Sequence, residues 1–360
     1  MTNKLRVLIV APSLRITGGQ AVQAARLMQE LQAFPQVEVA FQAINPTLPG
    51  PLHFLQQIKY VRTIVTETTY LIALLIRIWR YDVIHLFSAG YWSFLLAPAP
   101  AILFSKLFGK KTILNYRDGQ AEDHLNKWPI AIRIMSLVDR IVPPSGFLVK
   151  VFAKFGLPAT YISNIVDTTQ FNFRSRPTPS PKFFHNRGME PLYNIPCTIK
   201  AFAIVQQKYP DASLTLAHDG PLRQQLEAMV QELNLSNVQF LGFVDQTRMR
   251  QLYEAAEIYL MSPNIDNMPG SILECFACGL PFVSTAAGGV PFIVENEKTG
   301  LLVPINDHQA MATAALRLIE EPGLATALTT QGFMECARYQ GPQVAQQWVT
   351  LYNELMTTAN

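Results

Sequence analysis

Along the chain, short apolar runs alternate with segments in which apolar positions recur at the helical period. In the first half the runs Leu5–Ala11, Val37–Ala43, Val83–Phe87, Thr112–Tyr116, Arg140–Pro143 and Thr160–Ser163 read as strands, with helices between them, notably Ala21–Leu31. Between Phe171 and Lys182 the period stops, and three prolines mark a linker. It resumes with the runs Lys182–His185, Leu214–Ala217, Val238–Leu241, Ile258–Met261, Pro281–Ser284 and Leu301–Val303. Helices such as Pro221–Leu233 and Gln246–Ala255 lie between them, and helices Asp307–Glu320, Gly323–Arg338 and Pro342–Thr357 finish the chain. This alternation predicts an α/β fold of two doubly wound parallel sheets, residues 1–171 and 182–340, joined by a linker at 172–181. A last helix within 341–360 is expected to cross back to the first domain. Two such domains facing each other leave a cleft at the carboxyl ends of their strands, where ligands bind.

The length of 360 residues agrees with two domains, and 49% hydrophobic against 15% charged residues excludes disorder. A net charge of +3 gives no footprint for a nucleic-acid binder. Cys197, Cys275, Cys278 and Cys336 are too few and scattered for a disulfide framework, which points to a reducing, cytoplasmic setting. The start of the chain reads as the strand Leu5–Val10 and not as an export signal. Val83–Ser105 carries no Asp, Glu, Lys or Arg, yet His85, Gly90, Pro98 and Pro100 interrupt it, so it is not read as a membrane span. Thr63–Trp79 and Trp92–Phe108 are unusually apolar helices bordered by Arg77, Arg80, Lys106, Lys110 and Lys111. They are expected to pack over a parallel sheet, with peripheral contact to a membrane surface as the alternative.

Two segments carry chemistry. Ala11–Ala21 follows the first strand and opens a helix through Gly18 and Gly19. Backbone N–H groups at such a turn suit an anion such as a diphosphate, although a turn that needs positive φ explains paired glycines as well. No third glycine follows, so this is not a dinucleotide fingerprint. The second segment runs from Ser262 through Asp266, Met268-Pro269-Gly270-Ser271, Glu274, Gly279 and Pro281 to Gly288-Gly289. It places one carboxylate in a loop and another a turn inside the following helix, as acceptors for sugar or ribose hydroxyls, with the N–H groups of Met268–Ser271 at the helix start.

This second segment resembles the donor-binding signature of the family 4 retaining glycosyltransferases of the GT-B fold, two facing Rossmann-like domains. Other segments match in order: Ala217-His-Asp-Gly220-Pro221, Val238–Val244, Thr299–Pro304 and Ser163–Phe171. The resemblance implies that Glu274 accepts from the nucleotide ribose. Asp266, in place of the family's first Glu, would meet the donor sugar beside the backbone of Met268, Pro269, Gly270 and Ser271. Phe243 and the turn at His218–Gly220 would flank the base, and Gly18 and Gly19 the diphosphate. Arg187 would neutralise the leaving diphosphate alone, because Tyr193 and Asn194 stand where the family has Lys-Gly. Arg117 takes the place of a His after the fourth strand, where it can hold an anionic acceptor or the phosphate. Gln20, Glu122 and His124 are the acceptor-side candidates. His218 replaces a glycine, His85 is read as structural, and Cys275-Phe-Ala-Cys278 is read as helix packing and not as a metal pair.

The implied activity is hexosyl transfer, with retention, from a nucleotide diphosphate sugar to a glycan, a lipid-linked acceptor or a small molecule. It would need no metal or further cofactor and no nucleic acid, and would take place in the cytoplasm or on the inner face of a membrane. A nucleotide-sugar isomerase and a non-catalytic nucleotide-sugar-binding homologue are the alternatives, the second because of Tyr193 and Arg117.

Overall fold

A computed structural model describes residues 4–15, 18–48, 50–167 and 170–357. Ile16 and Thr17 of the first glycine segment, and Thr168 and Thr169 of the Ser163–Phe171 segment, lie outside the described residues. The chain forms two compact units, one of Met1–Ile165 with Gly341–Asn360, the other of Val166–Gln340.

In the first unit β1 (Leu5–Ala11), β2 (Val37–Ala43), β3 (Val83–Ser88), β4 (Lys111–Tyr116) and β5 (Arg140–Ile141) form a parallel sheet in the order β2-β1-β3-β4-β5. The strand expected at Thr160–Ser163 does not form. Ala159 makes an isolated bridge to Ile141, and the N–H groups of Thr160 and Ile162 donate to Ile141 and Pro143. Pro143 and Pro144 have no N–H to return, so the ladder ends there. One core includes Leu8, Ile84 and Leu114 of the sheet, Tyr70 and Leu74 of helix Val61–Ile78, and Ile102 of helix Pro98–Leu107. The other gathers Val7, Ile9 and Phe87 with Leu27 of helix Gly19–Leu31 and with Trp348 and Tyr352 of helix Gly341–Thr357. The expected helix Trp92–Phe108 is two, Tyr91–Leu96 and Pro98–Leu107, because Pro98 cannot donate into a continuous helix and instead opens the second one.

The second unit has six parallel strands, β6 (Lys182–His185), β7 (Ser213–Ala217), β8 (Val238–Gly242), β9 (Ile258–Met261), β10 (Phe282–Thr285) and β11 (Leu301–Val303). Their order is β11-β10-β9-β6-β7-β8, so the direction of winding reverses between β6 and β9. The crevice beyond the carboxyl ends of that pair is where such sheets bind ligands.

The segment 172–181, expected to be a linker, is packed onto the second unit. Arg176 is buried, and its guanidinium donates to the carbonyls of Tyr253, Ala256, Cys278 and Gly279. A proline-rich stretch has few N–H groups with which to join a sheet, and here one side chain supplies the missing donors. The first unit likewise ends at Ile165 and not at residue 171: Val166 donates to Tyr339, and the Phe171 ring meets Tyr253 edge-on with centroids 5.8 Å apart.

Candidate functional site

The reversal between β6 and β9 brings together residues that the sequence keeps far apart. Arg187 follows β6 and Asp266 lies in the loop after β9, and Arg187 Nη2 meets Asp266 Oδ2 at 2.5 Å. Both side chains are mostly buried, at 18% and 10% exposure. Burial pushes the Asp266 pKa up, against the pull of Arg187 and of the Asn267 N–H that donates to Oδ1. Burial alone would lower the Arg187 pKa, but the Asp266 carboxylate carries it above its ordinary value, so the guanidinium stays charged. The Tyr193 ring lies under that guanidinium, 4.4 Å from centroid to Cζ, so the residue that replaces a lysine holds the remaining cation instead of adding one. Arg187 Nε is buried without a hydrogen-bond partner. A donor left over in a crevice of this kind is what an incoming anion would take.

The loop carrying Asp266 is held chiefly by backbone. Gly289 N–H donates to Asp266 O at 2.7 Å. A Cβ on Gly288 would come within 2.3 Å of that oxygen, and one on Gly289 within 1.6 Å of Asn267 O. Thr285 Oγ1 donates to Pro263 O at 2.6 Å, and Ser262 Oγ donates to Asn194 O at 2.8 Å. Asn194 is left-handed at φ 45, a conformation that asparagine tolerates better than most residues, and so keeps the backbone role of the glycine expected there. Helix Gly270–Cys278 begins after Pro269 with no side-chain cap, and nothing lies within 4 Å of where a Gly270 Cβ would stand. Met268 and Ser271 are buried and fix this start.

Glu274 is held from within the unit. Tyr259 Oη donates to Asn186 Oδ1 at 2.8 Å, and Asn186 Nδ2 donates to Tyr253 Oη at 2.9 Å. Burial pushes the Tyr253 hydroxyl pKa up, and the Glu274 carboxylate to which it is hydrogen-bonded raises it further. Sequence reasoning missed Asn186, Tyr253 and Tyr259; the available signal was an asparagine at the end of a buried strand, directly before Arg187. His218 keeps a backbone suited to glycine, at φ 92, and its ring packs edge-on against the exposed Phe243 with centroids 4.7 Å apart. Gly220 lies against Met189, whose carbonyl a Cβ would approach to 2.6 Å.

In the first unit Gly18 precedes helix Gly19–Leu31 in extended backbone, φ −174, and no side chain caps the helix. Neither Gly18 nor Gly19 has a positive φ, and a Cβ on either would meet nothing within 4 Å. The pair is therefore not explained by a strained turn, and among the described residues no side chain caps the helix. Gln20 is half-buried in this first turn. Arg117 donates to Asn115 Oδ1 at 3.2 Å and to Asn164 Oδ1, and lies over the Phe87 ring at 5.3 Å. Burial pulls its pKa down to about 9. Because Arg117 can only donate, Asn115 must turn its Nδ2 toward His85 Nε2, 3.1 Å away. That nitrogen is then the acceptor, and His85 Nδ1 carries the proton it donates to Tyr352 Oη at 2.7 Å. His85 is thus structural and buried, and it also anchors the chain of contacts behind Arg117.

The acceptor-side candidates separate. Glu122 is on the surface in an ion pair with Lys154 at 2.8 Å. His124 is fully buried among Tyr91, Phe94, Tyr116 and Trp128, and its Nδ1 lies 2.9 Å from Tyr116 Oη. Aromatic side chains close over its ring, so its placement does not fit direct contact with an acceptor.

Two doubly wound units with a charged pair at a strand-order reversal define the class. Residues 167–333 match the family described as glycosyl transferases group 1, and residues 17–170 match glycosyltransferase family 4. The chain belongs to the group 1 glycosyltransferases of the GT-B fold. It is 31% identical over 167 residues to the D-inositol 3-phosphate glycosyltransferase of Corynebacterium urealyticum, across 44% of this chain and 39% of that protein. The chain spans between 22% and 45% of the length of curated relatives that it matches. Among solved structures, Anabaena HepE in complex with UDP and glucose aligns with a TM-score of 0.75 at 17% identity, over 97% of this chain and 100% of that one. Sucrose-phosphate synthase from Thermosynechococcus elongatus aligns with a TM-score of 0.76 at 18% identity, over 99% and 100%. At such identities the likeness shows the fold.

Proposed function

We propose that this chain transfers a hexosyl group from a nucleotide diphosphate sugar to an acceptor with retention of configuration. The observation that carries the reading is the Arg187–Asp266 pair at 2.5 Å, between the β6 and β9 ends. Asp266 would accept from a sugar hydroxyl, while Arg187 and the uncapped start of helix Gly270–Cys278 would take the charge that develops on the leaving diphosphate. Glu274, fixed by Tyr253, would accept from the ribose hydroxyls. HepE was solved with UDP and glucose, which supports this donor class. Arg117 would hold an anionic acceptor, or the phosphate itself. A glycan or lipid-linked glycan suits the acceptor role, and a lipid-linked one would place the reaction on the cytoplasmic face of a membrane.

The test is incubation with a panel of labelled nucleotide sugars. Release of nucleotide together with a glycosylated product supports transfer. Interconversion of the sugar would mean an isomerase, and binding without turnover a non-catalytic homologue. Titration of UDP into Glu274→Ala should show affinity lowered roughly tenfold or more, the loss expected when hydrogen bonds to a charged acceptor disappear. Unchanged affinity would remove Glu274 from the donor site.

A further inference from the structure

We propose that the outer face of the layer formed by helices Val61–Ile78, Tyr91–Leu96 and Pro98–Leu107 docks on an anionic lipid surface. The inference goes beyond the donor chemistry and does not depend on it. Helix Val61–Ile78 buries only Tyr70, Leu74 and Ile78. On its opposite side Ile64, Ile72, Ile76 and the following Trp79 are 53–69% exposed. Apolar side chains on a helix normally face a core, and here those on one side of the helix are left without cover. The expectation that these helices are buried over the sheet therefore holds for their inner faces alone. The exposed surface continues onto the neighbouring helices with Trp92 at 65%, Leu103 at 49% and Leu107 at 76%. Helix Pro98–Leu107 packs against both Val61–Ile78 and Tyr91–Leu96, so these residues belong to one layer.

The charge around this layer is mainly basic, although Glu67 lies in helix Val61–Ile78 and Asp118 and Asp123 bond to Gly90 and Tyr91 at the start of helix Tyr91–Leu96. From Val61 to Lys111 the sequence has six Lys or Arg against two carboxylates, Glu67 and Asp82. Asp82 is taken by Arg6 at 2.8 Å, and Lys106 and Lys111 share Asp139. Arg62, Arg80 and Lys110 make no salt bridge among the described residues. Arg80 lies over the Trp79 ring at 5.1 Å, and Lys110 donates to the Trp79 carbonyl at 2.8 Å. Tryptophan beside Lys and Arg at the edge of an apolar face is the arrangement that settles at headgroup level. Each exposed cation near an anionic leaflet adds attraction that salt screens. A second copy of this chain is a poorer occupant, because a two-fold contact would set the same basic border against itself. No helix among the described residues is long and apolar enough to cross a membrane, so the contact would be peripheral.

The experiment is co-sedimentation of the full chain with phosphatidylcholine vesicles, with and without phosphatidylglycerol, while Trp emission is recorded. Binding to phosphatidylglycerol vesicles should be about tenfold or more tighter than to phosphatidylcholine alone, should weaken with salt, and should shift Trp emission to the blue. The exposed triple variant Ile72→Ser/Ile76→Ser/Leu107→Ser, its fold checked by circular dichroism, should lose about tenfold or more of this binding. Arg80→Glu/Lys110→Glu should lose the salt-sensitive part. The proposal is overturned if the wild-type chain stays in the supernatant with phosphatidylglycerol vesicles at low salt. It is also overturned if the triple variant binds as well as wild type, or if sedimentation velocity shows a dimer that the same variant dissociates. Should the triple variant not fold, the wild-type emission shift and its salt dependence decide.

Discussion

Arg187 and Asp266, 79 positions apart in the chain, form an ion pair at 2.5 Å with the Tyr193 ring beneath the guanidinium. A cation and a carboxylate expected to serve different parts of one substrate are bound to each other without it. A diphosphate that draws Arg187 away would leave Asp266 to the sugar, so the two contacts are coupled. Removing one partner strands the other in a largely buried place. Arg187→Met and Asp266→Asn should each destabilise the second unit by about 3 kcal/mol, and the double variant by clearly less than the sum. Urea unfolding of the four proteins measures this, and strict additivity would mean that the pair is not coupled.

Two pairs of glycines should behave in opposite ways. Gly289→Ala places a methyl where Asn267 O already stands, 1.6 Å away, and should cost roughly 2 kcal/mol or more together with donor affinity. Gly19→Ala meets nothing within 4 Å and should leave thermal stability nearly unchanged. Its effect, if the helix start holds an anion, should appear in binding isotherms and not in the melting temperature.

His218 holds a φ of 92, which costs a non-glycine residue about 1 kcal/mol or more. His218→Gly should therefore raise stability slightly while releasing the Phe243 ring that His218 supports. Calorimetry combined with nucleotide titration would separate the two effects. A loss of both stability and affinity would show that the ring contact outweighs the strain.

The pH dependence of stability follows from the buried histidines. Burial lowers the pKa values of His85 and His185 to about 3, against 6.5 for an ordinary histidine. Below 6.5 the unfolded chain takes up protons that the folded chain refuses, so stability is full above that pH and is lost as pH falls toward 3. The slope is about 1.4 kcal/mol per pH unit for each histidine. Between pH 5.5 and 4.5, well below the unfolded pKa and above the folded one, the unfolding free energy should fall accordingly, and His85→Gln should reduce the slope by about one proton. An unchanged slope would mean that His85 is protonated in the fold.

Most strands were legible because a parallel strand buried on both faces is an unbroken apolar run, as in Val83–Phe87 and Ile258–Met261. Thr160–Ser163 has the β-branched and aromatic residues of a strand but sits beside two prolines, and composition does not show whether a neighbour has N–H groups to give. Apolar helices mislead in a related way. Val61–Ile78 reads the same whether one side or all sides are covered, and only the packing shows Ile64 and Ile76 outside. The segment around Asp266 and Glu274 stood out because its small residues and carboxylates are contiguous. The support behind it did not: Asn186, Tyr253 and Tyr259 come from three separate elements and meet only through the winding of the sheet. His124 was misplaced because a histidine in a polar loop segment resembles a surface residue, whereas four aromatic rings enclose it.

The loop that carries Asp266 is fastened through main-chain atoms by Gly288 and Gly289, so its path does not depend on which side chain stands at 266. Reach and charge at that position can change while the loop stays in place. Variation in sugar preference among descendants of this chain, or in a library made from it, should therefore gather at 266 and its neighbours, while the two glycines stay constant.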